Sequence, residues 1–131
     1  MRTNSVCVAD SDEATAKQVA DGLKLNGYDV RVIKTAAQAR NECRKGDAPA
    51  LVLDANFDDN NGISLARQLK ADPKTAAGII LVALDKEARK RFSIEDALEV
   101  EDYLTKPYDL PMLMIRIEAA MRKKFDPNCL G

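Results

Sequence analysis

The sequence predicts an α/β domain with one parallel five-stranded sheet and helices on both of its faces. Three observations point to it. Short apolar runs and helix-periodic segments alternate five times along 131 residues. The run Ile79–Leu84 is apolar without alternation, as expected of a central strand covered on both faces. Three runs end in polar, chemistry-bearing residues, Asp10, Asp54 and Lys106, at the strand tips where open α/β sheets carry their sites.

The elements follow in order. Val6–Ala9 is the first strand. Asp12 begins a helix to Leu25, with Ala16, Val19, Ala20 and Leu23 at three-and-four spacing, and Asn26-Gly27 stops it. Tyr28–Ile33 alternates as a second strand. Thr35 caps a helix over Ala36–Lys45, which Gly46 ends. Leu51–Leu53, between Pro49 and a turn-rich segment, is the third strand. Ile63–Ala71 is a helix with Leu65, Ala66 and Leu69 inward, closed by Asp72-Pro73. The Ile79–Leu84 strand leads to one polar helix, Lys86–Leu98. Asp102–Thr105 is the fifth strand. Asp109 caps a last helix with Pro111 in its first turn and Met112, Ile115, Ala119 and Met121 toward the core.

The common small solution for such units is flavodoxin-like: (βα)5, doubly wound, with strand order 2-1-3-4-5. That order makes the Asp10 and Asp54 tips neighbours and sets Lys106 across the fourth strand, within reach of both. Residues 1–125 read as one domain and 126–131 as a C-terminal tail. Arg122-Lys123-Lys124 complements the C-terminal dipole of the last helix.

Composition excludes several classes. The net charge is −1, so no global field favours nucleic acid or a membrane. Aromatics make up 5% and Trp is absent, which argues against base stacking. There is no His, which removes the usual general base and the commonest transition-metal ligand. No apolar stretch is long enough to span a bilayer, and Met1-Arg2-Thr3-Asn4-Ser5 leads straight into a strand rather than a signal peptide. Cys7, Cys43 and Cys129 are distant in sequence and odd in number, which fits a reduced, cytoplasmic setting. Cys7 and Cys43 read as small buried fillers, and Cys129 has no assigned role.

Three segments carry a resemblance. They are Val6-Cys7-Val8-Ala9-Asp10-Ser11-Asp12-Glu13, Leu51-Val52-Leu53-Asp54 with Gly62 eight residues on, and Asp102-Tyr103-Leu104-Thr105-Lys106-Pro107. In this order, over about Val6 to Met121, the chain resembles the receiver domain of bacterial two-component response regulators. The resemblance implies a phosphoryl switch. Asp54 would match the phosphoacceptor, attacking phosphorus in phosphohistidine on a sensor histidine kinase or phosphotransfer protein, or in a small acyl phosphate. Mg²⁺ would bridge the carboxylates and phosphoryl oxygens, with Asp10, Asp54 and the backbone carbonyl of Asn56 as ligands and Asp12 as a further candidate. Lys106 would pair with the phosphate. Pro107 matches a position where the family often has a cis peptide bond. Any enzymatic activity would be limited to self-phosphorylation from a donor and slow self-dephosphorylation.

Two departures make the chain an atypical variant. Ser11 stands where the family has an acid that ligates Mg²⁺, so metal affinity should fall roughly tenfold or more, for which ~1.4 kcal/mol suffices. Asp12 either compensates or simply begins the first helix. Ala83 stands where the family has a Thr or Ser whose hydroxyl couples phosphorylation to the aromatic on the fifth strand, here Tyr103. Asp85 adds negative charge beside the pocket, with two open consequences: slower attack on an anionic donor, or orientation of a hydrolytic water. Asp58 and Asn61 replace a usual Pro and Asp, which suggests a repositioned loop.

Two functions stay open. One is a working receiver that signals by protein contact. The other is a pseudo-receiver, a phosphorylation-independent interaction or localisation module. A flavin-phosphate binder is poorly supported, because no Ser/Thr/Gly-rich phosphate loop follows the first strand. Lys86, Arg89, Lys90 and Arg91 are either a solvated helix face or part of the surface, formed by the fourth helix, fifth strand and last helix, that receivers use for downstream proteins and homodimers. The chain either acts alone by docking or is a piece of a longer one.

Overall fold

The computed structural model describes residues 4–45 and 50–125. In chain order the elements are β1 (Ser5–Ala9), α1 (Glu13–Leu25), β2 (Asp29–Val32), α2 (Ala36–Arg44), β3 (Ala50–Asp54), α3 (Phe57–Asn60), α4 (Gly62–Ala71), β4 (Ile79–Leu84), α5 (Lys86–Arg91), α6 (Ile94–Glu99), β5 (Asp102–Thr105) and α7 (Leu110–Phe125). All strand pairs are parallel and the sheet order is β2-β1-β3-β4-β5. This is the flavodoxin-like arrangement that the alternation of elements predicts.

The two-residue period of the strands divides the core into two layers. Cys7, Ala9, Leu51, Leu53, Ile80, Val82 and Leu84 face the layer completed by α2, α4, α5 and Val100, which follows α6. Val6, Val8, Ala50, Val52, Ile79 and Leu81 face the layer completed by α1 and α7. Cys7 and Cys43 are buried in the first layer. Burial above all holds their thiols neutral, pushed up to about 12 and about 11.

Most sequence signals act where expected. Thr35 forms a capping box with Gln38. Gly27 takes φ +92° after α1, a conformation open to glycine. The Asp109 carboxylate accepts from the Met112 amide at the start of α7. Gly46, Pro49 and Cys129 lie outside the described residues, as do 126–131.

Three features differ. The helix expected over Lys86–Leu98 is two helices broken at Phe92-Ser93. The Ser93 hydroxyl accepts from the Asp96 amide at 3.0 Å, and the Asp96 carboxylate accepts from the Ser93 amide at 3.0 Å. That capping box starts a new helix and leaves Phe92 extended, with its ring 5.3 Å from that of Tyr103. In α7 the buried face is Leu113, Ile117, Ala120 and Met121, whereas Met112, Ile115 and Ala119 face outward. The helix carries apolar residues on both sides, so the 3.6 period fits two phases, and packing on α1 and β4 selects one. Between β3 and α4 there is an added turn in which Asp58, Asp59 and Asn60 all have left-handed backbones, with φ of 55°, 57° and 65°. Asp and Asn tolerate that region better than other non-glycine residues.

Candidate functional site

The site lies at the carboxyl ends of β1, β3 and β5. Ala9 pairs with Leu53 and Asp54 with Ala83 in the parallel register. Asp10 and Asp54 are thus carried out of adjacent strands side by side. Gly62 shows why the eight-residue spacing holds. A Cβ there would overlap the Asp54 carbonyl oxygen and come within 2.8 Å of the Ala55 backbone. The N-terminus of α4 therefore rests directly on the chain that presents Asp54.

Asp54 is fully buried. Its Oδ2 accepts from the Ser11 hydroxyl at 2.6 Å and the Ser11 amide at 3.0 Å. Its Oδ1 accepts from the Asn56 amide at 3.1 Å and lies 3.4 Å from Lys106 Nζ. Burial would raise this carboxyl. The Ser11 hydroxyl, the two amides and the Lys106 ammonium outweigh it and hold the group below the ordinary carboxylate range. Lys106 Nζ also lies 3.1 Å from Asp10 Oδ2. Partial burial would lower the lysine, but Asp54 and Asp10 raise it, so it remains an ammonium. The Lys106-Pro107 peptide is cis.

Of the residues the sequence singles out, Asp10, Ser11, Asp54 and Lys106 converge. Asp12 does not: its carboxylate caps α1, accepting from the Ala14 and Thr15 amides at 3.0 and 3.3 Å. Its own amide donates to Asp10 Oδ1 at 2.9 Å. The Asn56 carbonyl accepts from the Asn60 amide at 3.0 Å within the left-handed turn. Ala83 is fully buried beside Asp54 and offers only a methyl group. Tyr103 is 44% exposed, leaning on Phe92 rather than toward the site.

Two contributors escape a reading of the sequence. The Tyr108 hydroxyl donates to Asp10 Oδ2 at 3.0 Å, with burial and then Asp10 pushing the phenol well above its usual value. Its signal was available, as an aromatic hydroxyl next but one to the site lysine. The other is the Asn56 side chain, whose Nδ2 donates to Asp85 Oδ2 at 2.5 Å and whose Oδ1 accepts from Arg91 Nη2 at 3.3 Å. No spacing rule announces this, because it depends on where α5 breaks. Asp85 caps α5 through the Ala88 amide. That bond first, and the Asn56 amide second, keep its carboxyl below the ordinary range.

With this geometry in hand, the family model described as response regulator receiver domain matches residues 6–118. The chain belongs to the response regulator receiver domain family. It is 30% identical over 128 residues to the sensory transduction protein RegX3 of Mycolicibacterium smegmatis, covering 97% of this chain and 54% of that protein. It is 27% identical over 118 residues to the response regulator MprA of Mycobacterium leprae, covering 90% and 51%. The receiver thus spans about half the length of the curated relatives it matches. In fold it is similar to a CheY-like receiver domain from Methanospirillum hungatei JF-1, with TM-score 0.79, 22% identity and coverage of 94% and 98%. A sensor protein from Polaromonas sp. JS666 superposes with TM-score 0.79, 24% identity and coverage of 92% and 97%.

Receivers of two-component systems generally bind Mg²⁺ in this acidic pocket. Among the described residues no three acidic, Cys or His side chains converge as a metal cage. What remains is two carboxylates and the Asn56 carbonyl, all hard oxygens. That set fits Mg²⁺, which is often held by one or two carboxylates plus waters. Among the described residues, no helix is long and apolar enough to cross a membrane.

Proposed function

We propose that this receiver accepts a phosphoryl group on Asp54. The observation that carries this reading is a fully buried carboxylate with a lysine ammonium 3.4 Å away, itself shared with Asp10 at 3.1 Å. An Asp held below its ordinary pKa is ionised, and so nucleophilic, at neutral pH. Attack on an anionic donor is opposed by charge, and neutralisation is the main catalytic need. Lys106 supplies part of it. Ser11 and the amides of Ser11 and Asn56 fix the plane of the carboxylate. Asp10, Asp54 and the Asn56 carbonyl would hold Mg²⁺, which supplies further charge neutralisation when bound. Asp12, engaged as a helix cap, serves structure rather than metal.

The phosphodonor on this reading is a sensor histidine kinase or phosphotransfer protein, and the chain's own chemistry is limited to self-phosphorylation and slow self-dephosphorylation. Residues 1–125 form the receiver unit. Output is a protein contact on the face of α5, α6, β5 and α7, in a cytoplasmic setting. The second reading, a pseudo-receiver, rests on Ser11 and Ala83, which lack the acid and the hydroxyl that the family carries at those positions.

An amide NMR titration with Mg²⁺ and then beryllofluoride, a phosphoryl mimic, separates the two. Shifts at Asp10, Asp54 and Lys106 that vanish in Asp54→Asn are expected. Their absence at millimolar Mg²⁺ would leave the pseudo-receiver.

A further inference from the structure

Resting on the phosphoacceptor reading, we propose that Arg91 is an electrostatic positioning residue for the donor, supplying to the anionic phosphoryl group a contact that Ala83 cannot make. The argument begins with charge. The carboxylates of Asp10, Asp54 and Asp85 gather around the site, and Lys106 pairs with the first two. Asp85 Oδ2 accepts from Asn56 Nδ2 at 2.5 Å, which stations a third carboxylate beside the pair. Lys106 and, when bound, Mg²⁺ offset Asp10 and Asp54, but an incoming phosphoryl donor still meets the Asp85 carboxylate beside the pocket.

Arg91 is the second cation within reach. Its Nη2 lies 3.3 Å from Asn56 Oδ1, while the Asn56 amide is 3.1 Å from Asp54 Oδ1. One residue thus separates the guanidinium from the acceptor. Two of the other basic residues of α5 are committed elsewhere: Arg89 donates to the Thr105 hydroxyl at 3.1 Å, and Lys90 pairs with Glu87 at 3.3 Å. Arg91 occupies the last turn of α5, and the Ser93 cap forces the chain out of helix immediately after it. That break sets the direction in which Arg91 leaves α5. Its side chain is exposed, so it can turn from Asn56 to a phosphoryl oxygen without disturbing the core. A guanidinium suits such an oxygen through its fork of donors.

The step it assists is ordinary transfer. The Asp54 O–P bond forms as the donor's bond to phosphorus breaks, the leaving group takes that electron pair, and the phosphoryl oxygens remain anionic. Arg91 offsets part of their charge and takes no proton.

The test measures phosphorylation of the full chain by intact mass with two small donors, acetyl phosphate and the less negatively charged phosphoramidate. Arg91→Ala should slow the acetyl phosphate reaction by about fivefold and the phosphoramidate reaction by less. Arg91→Lys should recover most of the rate, and Arg91→Glu should be slower than Arg91→Ala. Equal rates for Arg91→Ala and the parent with both donors would overturn the proposal. So would an equal loss with both donors that lysine does not rescue, because that marks a structural role. In either case Asp54 would still be phosphorylated and the acceptor reading would stand. A parent chain that gains no phosphoryl mass would remove both.

Discussion

The Ser11 hydroxyl donates to Asp54 Oδ2 at 2.6 Å, and the Ser11 amide donates to the same oxygen at 3.0 Å. The residue in the position of a metal-ligating acid is therefore a donor to the acceptor carboxylate. It holds Asp54 ionised without adding charge of its own, and it leaves a cation one carboxylate fewer. Ser11→Asp should tighten Mg²⁺ binding about tenfold or more, equivalent to ~1.4 kcal/mol. Without metal the same variant should melt at lower temperature, because three carboxylates would then share one lysine. Isothermal titration with Mg²⁺ and melts in chelator measure the two effects. An unchanged Mg²⁺ affinity would mean that side chain 11 does not face the metal.

Gly62 and Asp54 are coupled by sterics. Any side chain at 62 must displace the Asp54 carbonyl or the Ala55 backbone, neither of which is a flexible group. Gly62→Ala should cost roughly 1–3 kcal/mol in stability and perturb the Asp54 and Asn56 amide resonances. Chemical denaturation gives the first and an amide spectrum the second. An alanine variant with parent-like stability and spectrum would refute the clash.

The fold was legible because its signals are local. Strand runs, Thr35 and Asp109 caps and the Asn26-Gly27 stop act within a few residues, and five alternations admit few topologies. The convergence of Asp10, Asp54 and Lys106 followed from strand order alone. What escaped depends on competition between signals. The Ser93 cap defeats a polar helix pattern that would otherwise run through. The outward Met112 and Ile115 fit the helical period as well as the buried Leu113 and Ile117 do. The contact of Tyr108 with Asp10 joins segments 98 residues apart, with only its nearness to Lys106 as a signal, and that of Arg91 with Asn56 joins segments 35 residues apart with none.

Ala83 sits in register with Asp54 on one side and Leu104 on the other, with no exposed surface. Ala83→Thr returns a hydroxyl to the end of β4. Overpacking should destabilise the resting protein by about 1–3 kcal/mol. In exchange, beryllofluoride should produce amide shifts at Tyr103 and in α5 that the parent lacks. Denaturation and paired NMR titrations read these. No added response to beryllofluoride would count against a missing hydroxyl as the break in coupling.

Arg67 forks onto Asp96, with Nε to Oδ1 at 2.6 Å and Nη2 to Oδ2 at 2.8 Å, and so ties α4 to the start of α6. The Asp96 carboxylate is almost fully buried, and the guanidinium beside it, aided by the Ser93 amide, overcomes burial and holds it down at about 2. Because this folded value lies below the ordinary carboxylate value of about 3.9, the sign is fixed. Its contribution is fully present above the ordinary value and is lost as pH falls toward 2. Half of the arginine side chain is in solvent, which screens the pair, so Asp96→Asn should cost about 1–2 kcal/mol at neutral pH. The melting temperatures of parent and variant should differ by a constant amount from neutral pH down to about 4, then converge as the parent carboxylate is protonated. Curves that stay parallel through the acid range would show that the Arg67–Asp96 charge pair does not hold α6 in place.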